Sequence, residues 1–265
     1  SAILLLVILL LVRPLASFVP VASMAAVLFI VAMGLIDVRA MRRVWRTSRG
    51  DALALGVTFI ATLTIRLEVA ILVGVLASLL VYLNWATHPR VVRVAPDPSQ
   101  QRRFRRVGVD TALCPQLDML RIDGALFFGS VEHIRDEIEA ARASRPATRH
   151  LLLIGAGINL IDSAGAELLA NLAPTLREAG VELYLCRMRP EVLALLERGG
   201  YLEVIGRDHV FATKDQADAV IYRKLVAAKC AACSARIFNE CQVTLPDGSL
   251  RDKPRPELTL MPRGR

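Results

Sequence analysis

An apolar run occupies the first 87 residues almost without interruption, and it stops at His88-Pro89. The remainder of the chain has the mixed polarity of a soluble protein. A spanning helix needs about 20 apolar residues, so the break divides the chain into a membrane part and a water-facing part. The run opens with Ala2-Ile3-Leu4-Leu5-Leu6-Val7-Ile8-Leu9-Leu10-Leu11-Val12 and meets Arg13-Pro14 after about a dozen apolar residues. That length is expected to be the remainder of a longer helix. A secretory signal fits less well, because no basic segment precedes the run and more apolar segments come after it.

Four apolar segments are expected: Ala2 to Val12, Val21 to Ile36, Asp51 to Ile65, and Leu67 to Trp85. Between the second and third, Arg39, Arg42, Arg43, Arg46 and Arg49 interleave with Met41, Val44 and Trp45. That pattern suits a short helix lying in the headgroup layer. A second basic cluster, Arg90, Arg93, Arg102, Arg103, Arg105 and Arg106, lies beyond the last segment. Basic residues beside spanning helices mark the cytoplasmic side, and this outweighs a nucleic-acid reading of the net charge of +8. Both clusters are then cytoplasmic, and the third and fourth segments form an out-and-back pair turning at Arg66. Arg66 and Glu68 are expected to reach water or each other there, rather than line an ion path. Ala70, Gly74 and Ser78, spaced four apart, suit close helix packing in lipid.

Beyond residue 88 the hydrophobic period alternates between two and 3.6. A short edge strand is expected near Val91–Val94, further strands at Leu117–Ile122, His150–Ile154 and Glu182–Cys186, and helices at Val131–Ala143, Ala164–Ala179, Pro190–Arg198 and Lys214–Ala227. Strands alternating with helices predict a mixed sheet covered by helices. The boundaries expected are 1–87 for the membrane helices, 88–116 for a linker with the first strand, 117–227 for the α/β domain, and 228–265 for a cysteine-containing, disordered tail. From Thr244 onward, Pro, Arg and Asp predominate and disorder is expected.

Asp162-Ser163 sits between a strand and a helix, where both side chains suit an N-cap. Gly155-Ala156-Gly157 comes directly after a strand but lacks the rest of a nucleotide-binding fingerprint, so it reads as a flexible loop. Cys230-x2-Cys233-x7-Cys241 has metal-ligand spacing. Three thiolates need a fourth ligand, and no His occurs after Ala227; incidental thiols are the preferred reading. The histidines at 88, 133, 150 and 209 are scattered and read as solvated or capping. No Ser/His/Asp order has a supporting strand-turn-helix context, and no HExxH or P-loop occurs. No catalytic residue, no substrate-binding residue and no cofactor is assigned, and the chain is not expected to be an enzyme.

Several of these segments resemble one family. Val21-Ala22-Ser23-Met24-Ala25-Ala26-Val27-Leu28-Phe29-Ile30-Val31-Ala32 with Leu35-Ile36-Asp37 is similar to a late membrane helix of SulP-type anion permeases. So are Thr58-Phe59-Ile60-Ala61-Thr62 and Leu67-Glu68-Val69-Ala70-Ile71-Leu72-Val73-Gly74-Val75. Leu120-Arg121-Ile122-Asp123-Gly124-Ala125-Leu126-Phe127-Phe128-Gly129-Ser130 and Asn159-Leu160-Ile161-Asp162-Ser163-Ala164-Gly165 resemble the STAS domain appended to such permeases and shared with anti-sigma-factor antagonists.

The resemblance implies the C-terminal part of a secondary carrier of sulfate- or bicarbonate-type anions. The fold implied is the all-α end of a seven-plus-seven inverted repeat with an α/β STAS domain after it. It further implies an anion site in upstream helices not present here, so that the chain does not transport by itself. It implies a multi-pass place in the inner or plasma membrane with the C-terminal domain cytoplasmic. The partners implied are the bilayer, the missing permease helices, a second copy in a homodimer, and a cytosolic protein bound by the STAS domain; nucleic acid is not among them. Ser163 occupies the position phosphorylated in anti-sigma-factor antagonists, whereas Ala164 departs from the usual second Ser. A membrane-tethered signalling adaptor switched at Ser163 is therefore the rival reading, with plain capping preferred.

Overall fold

The computed structural model describes residues 6, 8, 20–96, 104–108, 111–238 and 240–251. The chain divides into two compact units, Ser1–Val81 and Tyr82–Arg265.

The first unit is helical. Helix α1 (Val21–Leu35) starts behind Pro20. Asp37 then caps α2 (Val38–Thr47), its carboxylate accepting from Ala40 N at 2.9 Å. Ser48 caps α3 (Arg49–Thr64), accepting from Asp51 N at 3.2 Å. Helix α4 spans Leu67–Ala86 and leaves the unit at its last turns. The stretch Val21–Thr47 and α4 are each long and apolar enough to cross a membrane; at 16 residues, α3 rises only ~24 Å. The first expected segment, Ala2 to Val12, lies outside the described residues apart from two of them.

Small residues let α3 and α4 approach. Ala54, Ala61, Ala70 and Gly74 are buried. A methyl group on Gly74 would stand 2.7 Å from Thr58 Oγ1, so glycine there is a packing requirement. Arg66 and Glu68 meet at 3.7 Å in the turn, both largely exposed. Long apolar side chains such as Leu28, Phe29, Leu63 and Leu80 point outward, the surface that hydrocarbon solvates.

Among the described residues, the second unit holds six strands: β1 (Arg90–Pro96), β2 (Phe104–Arg106), β3 (Leu117–Leu126), β4 (His150–Ile161), β5 (Glu182–Cys186) and β6 (Val210–Phe211). Their order is β2-β1-β3-β4-β5-β6. Strand β1 is antiparallel to both β2 and β3, while β3 to β6 run parallel. The mixed sheet is as expected. Strand β1 is an inner strand, however, not an edge, because β2 pairs along its far side.

The helices are α5 (Val131–Ala143), α6 (Ser163–Glu178), α7 (Pro190–Arg198), α8 (Tyr201–Ile205), α9 (Lys214–Lys224) and α10 (Ala227–Ala231). Successive strand residues face opposite sides, and here both sides are buried. Leu120, Ile122, Leu151, Leu153, Leu183 and Leu185 join α5 to α8 in one core. Leu117, Met119, Leu152, Ile154, Tyr184 and Cys186 join Ala217, Ile221 and Tyr222 of α9 in another.

Three expectations fail here. Strand β4 continues to Ile161, through Gly155-Ala156-Gly157. A methyl group on Gly157 would stand 2.5 Å from Ile122 O, and one on Gly155 1.9 Å from Met188 Sδ. These glycines admit close neighbours within a strand and are not a flexible loop. His150 and His209 are buried rather than solvated; their rings lie 5.9 and 4.6 Å from the Tyr184 ring. The segment after Thr244, expected to be disordered, folds back as far as Arg251: Thr244 bridges Leu250, and Arg251 N donates to Val243 O at 3.1 Å. Upstream of it, Cys230, Phe238 and Cys241 are buried in the second core. Residues 252–265 lie outside the described residues.

Candidate functional site

Asp162 stands where β4 passes into α6. Its Oδ1 accepts from Gly165 N at 2.8 Å, so it is the N-cap of α6. Its Oδ2 accepts from Phe128 N at 2.9 Å, in the turn that leaves β3. Asp162 N donates to Leu126 O at 3.2 Å. One carboxylate thus fastens a helix start to the end of the neighbouring strand. Gly165 completes the joint: a methyl group there would stand 2.2 Å from Leu126 O. Ser130 closes the turn, its hydroxyl donating to Ala125 O while accepting from Phe127 N, both at 3.0 Å.

Ser163, expected to share the cap, is the first residue of α6 and is exposed. A helix N-terminus favours negative charge through its free N–H groups and dipole. Phe128, 82% exposed, and Leu160, 58% exposed, sit on the two strand ends that meet at this joint. The arrangement offers an accessible hydroxyl on a hydrogen-bonded helix start.

The same sheet carries a buried ion cluster that the sequence did not signal. Asp118 on β3 is 2% exposed at its side chain. It accepts from Arg93 Nε at 2.8 Å, Arg93 Nη2 at 2.9 Å and Arg145 Nη1 at 3.0 Å. Arg93 Nη2 also donates to Ala141 O at 2.7 Å and Ser144 Oγ at 2.9 Å. The cluster ties β1, β3 and the end of α5 together. Elsewhere in the unit, Lys214 pairs with Asp218 at 3.1 Å, leaving Asp218 Oδ1 buried without a hydrogen bond.

The three tail cysteines meet in space. Cys230, Cys233 and Cys241 line one cavity of about 10 Å³, together with Cys114 from the segment before β3. Cys114 could not be found from spacing, because it lies far upstream in the sequence. As placed, no three His, Cys, Asp or Glu side chains among the described residues form a group able to hold a metal ion. Helix α2 presents Arg39, Arg42, Arg43 and Arg46 along an open groove.

Comparison with known proteins yields two matches to family models along the chain. Residues 1–58 match the sulfate permease family, and residues 110–217 match the STAS domain. Sulfate transporter 1.1 of Arabidopsis thaliana is 27% identical over 219 residues, 79% of this chain and 34% of its own length. High affinity sulfate transporter 2 of Stylosanthes hamata is 26% identical over 230 residues, 83% of this chain and 34% of its own. The chain thus spans about a third of the length of these curated relatives. The murine Solute Carrier 26 family member A9 anion transporter in the inward-facing state shares the fold, with a TM-score of 0.56 at 22% identity over 66% of this chain and 29% of that one.

Proposed function

From the matches to the sulfate permease family and to the STAS domain, we propose that this chain is the C-terminal portion of a secondary active anion transporter. The observation that carries the reading is the order of the two matches within one chain: permease segment first, STAS domain second. Sulfate is the favoured cargo because the relatives are named sulfate transporters; bicarbonate is the second choice, from the family resemblance alone.

Residues 1–87 are the membrane part, 88–116 the lead-in to the sheet, and 117–227 the STAS domain, which lies in the cytoplasm. The arginines of α2 support that side, since basic residues flank spanning helices on the cytoplasmic face. The membrane is the inner or plasma membrane, and the working form is a homodimer. The anion site lies in permease helices outside this chain, so the chain alone does not transport. The STAS unit supports folding and regulation, and Asp162 acts as a cap. The exposed Ser163 hydroxyl at a helix N-terminus is a place where a phosphate would be stabilised, which keeps control by phosphorylation open to test.

The test is uptake of labelled sulfate and bicarbonate by cells expressing the complete reading frame that contains this chain, beside cells expressing the chain alone. Uptake by the complete frame, lost when residues 1–87 are deleted and absent from the chain alone, supports the proposal. Uptake by neither would overturn it. For the adaptor reading, Ser163→Ala and Ser163→Asp must change the binding of a cytosolic partner; unchanged binding removes that rival.

A further inference from the structure

Four of the chain's five cysteines line a single cavity. Cys114, Cys230 and Cys241 are buried and Cys233 is half-buried; all are free thiols. The fifth, Cys186, lies on the sheet and is not part of the lining. Two guanidinium groups, those of Arg236 and Arg251, line the same cavity. Arg236 Nη1 and Arg251 Nε are buried with no hydrogen-bond partner. Buried charges are tolerated when paired, and among the described residues neither guanidinium has a carboxylate to pair with. The cavity thus sets four thiols beside two guanidinium groups, each with a buried nitrogen that lacks a partner.

We infer that Cys114, Cys230, Cys233 and Cys241 are the ligands of a structural zinc ion, with Arg236 and Arg251 as its charge-balancing shell. The charges close. Zinc brings two positive charges and four thiolates bring four negative ones; the net of minus two is met by the two guanidiniums. The four thiol protons leave to solvent as the four sulfur–zinc bonds form. The spacing agrees, with C-x2-C supplying one pair of ligands and two more arriving from elsewhere in the chain.

The surrounding donors suit thiolates as well. Gln116, itself buried, donates from Nε2 to Cys230 Sγ at 3.3 Å. Cys233 N donates to Cys230 O at 3.2 Å, closing the C-x2-C turn. Arg251 holds the same turn from outside, with Nη1 donating to Cys233 O at 3.5 Å and Nη2 donating to Cys230 O. Arg236 takes a left-handed backbone, with φ at +40°, a conformation that persists only where the surroundings fix it. The cavity admits an ion and excludes an oxyanion: at about 10 Å³ it has room for about one water. The sulfurs as placed do not converge on one point, so the inference requires the side chains that line the cavity to close around the ion. The need for a staple is physical. Among the described residues, 227–251 hold one short helix and a 3-10 turn, yet they help α9 cover one face of the sheet.

The site lies largely outside the matched STAS region and stands independently of the transport proposal. The experiment uses the full chain, purified in detergent without chelator or reductant under anaerobic conditions. Elemental analysis should find about one zinc per chain. Cobalt added to metal-stripped protein should give thiolate-to-cobalt charge-transfer absorption and the intense visible bands of a tetrahedral site. Cys114→Ser and Cys241→Ser should each lower zinc content at least tenfold, while Cys186→Ala keeps it. Should the serine variants misfold, the wild-type cobalt spectrum decides, together with alkylation that reaches four cysteines only after chelation. Zinc below a tenth of an equivalent with no charge-transfer band would overturn the inference, as would disulfide-linked peptides joining any two of the four cysteines.

Discussion

Replacing Asp118 with alanine should unseat the first two strands of the sheet. The side chain is 2% exposed and takes hydrogen bonds from Arg93 and Arg145, whose side chains are 24% and 16% exposed. Removing one partner of a buried ionic cluster costs about 3–5 kcal/mol, because the remaining charges are left uncompensated. Water reaches both arginines in part, and Arg93 keeps its bonds to Ala141 O and Ser144 Oγ, so the lower end, about 3 kcal/mol, is expected. For a unit of this size, 1 kcal/mol moves the melting temperature by about 2–4 °C, giving a drop of roughly 6–12 °C. Trp45 and Trp85 lie on α2 and α4, outside the sheet, so a probe within the sheet reports more directly. Cys186, fully buried on β5, serves instead. Its alkylation during brief heating of the full chain in detergent, read by peptide mass spectrometry, tracks opening of the sheet. The triple replacement Arg93→Met, Asp118→Leu, Arg145→Met should recover most of the loss, because apolar residues of similar volume remove the charges along with the need to pair them. A single Asp118→Ala within about 0.5 kcal/mol of wild type, the range of ordinary surface substitutions, or a triple variant no better than the single, would refute this account.

Two other outcomes rest on named groups. Asp162→Ala removes the α6 cap and the acceptor of Phe128 N; a loss of about 1–2 kcal/mol is expected in the same alkylation assay, while Asp162→Asn keeps the cap but puts an NH2 donor where Phe128 N needs an acceptor, and should lose about 1 kcal/mol. Burial pushes the Asp218 carboxyl up to about 6 against the pull of Lys214. The folded state therefore holds this proton where the unfolded chain has released it, so this group's contribution to stability falls as pH rises from about 4 to about 6. Burial lowers His150 and gives the opposite slope below about 6.5. Melting temperatures of Asp218→Asn and wild type should thus diverge across that window, and parallel curves would sink the assignment.

Some of this architecture is legible from one strand or helix at a time. Strand β5 is found at Glu182–Cys186, where the apolar run is bounded by Gly180 and Arg187-Met188-Arg189-Pro190. Helices α5 and α7 stand at the bounds their periodicity marks. Features that depend on a neighbour are not legible. The glycines of β4 look like punctuation until Ile122 O and Met188 are seen against them. His150 and His209 look solvated until Tyr184 lies between them. Strand β2, only Phe104–Arg106, carries no apolar alternation, and its pairing with β1 demotes the expected edge. At the candidate site, Asp162 is readable as a cap from its place before a helix. Its second bond, to Phe128, depends on where β3 ends. The cysteine spacing exposes three of the four thiols that share a cavity; the fourth arrives only through folding.

The burial of Cys230, Phe238 and Cys241 on one face of the sheet sets a timetable for synthesis. The strands described above are complete once Phe211 is made, but the side chains on that face wait for α9 and then for the segment that follows it. At about 5–20 residues per second, the stretch from Cys186 to Cys241 takes roughly 3–11 s to be added. During that interval the membrane helices are already made, while the cover over Leu152, Ile154 and Tyr184 is still incomplete. A chaperone that recognises exposed apolar strands has its window there, and a message broken after the codon for Val226 would yield a product that carries its own mark for degradation.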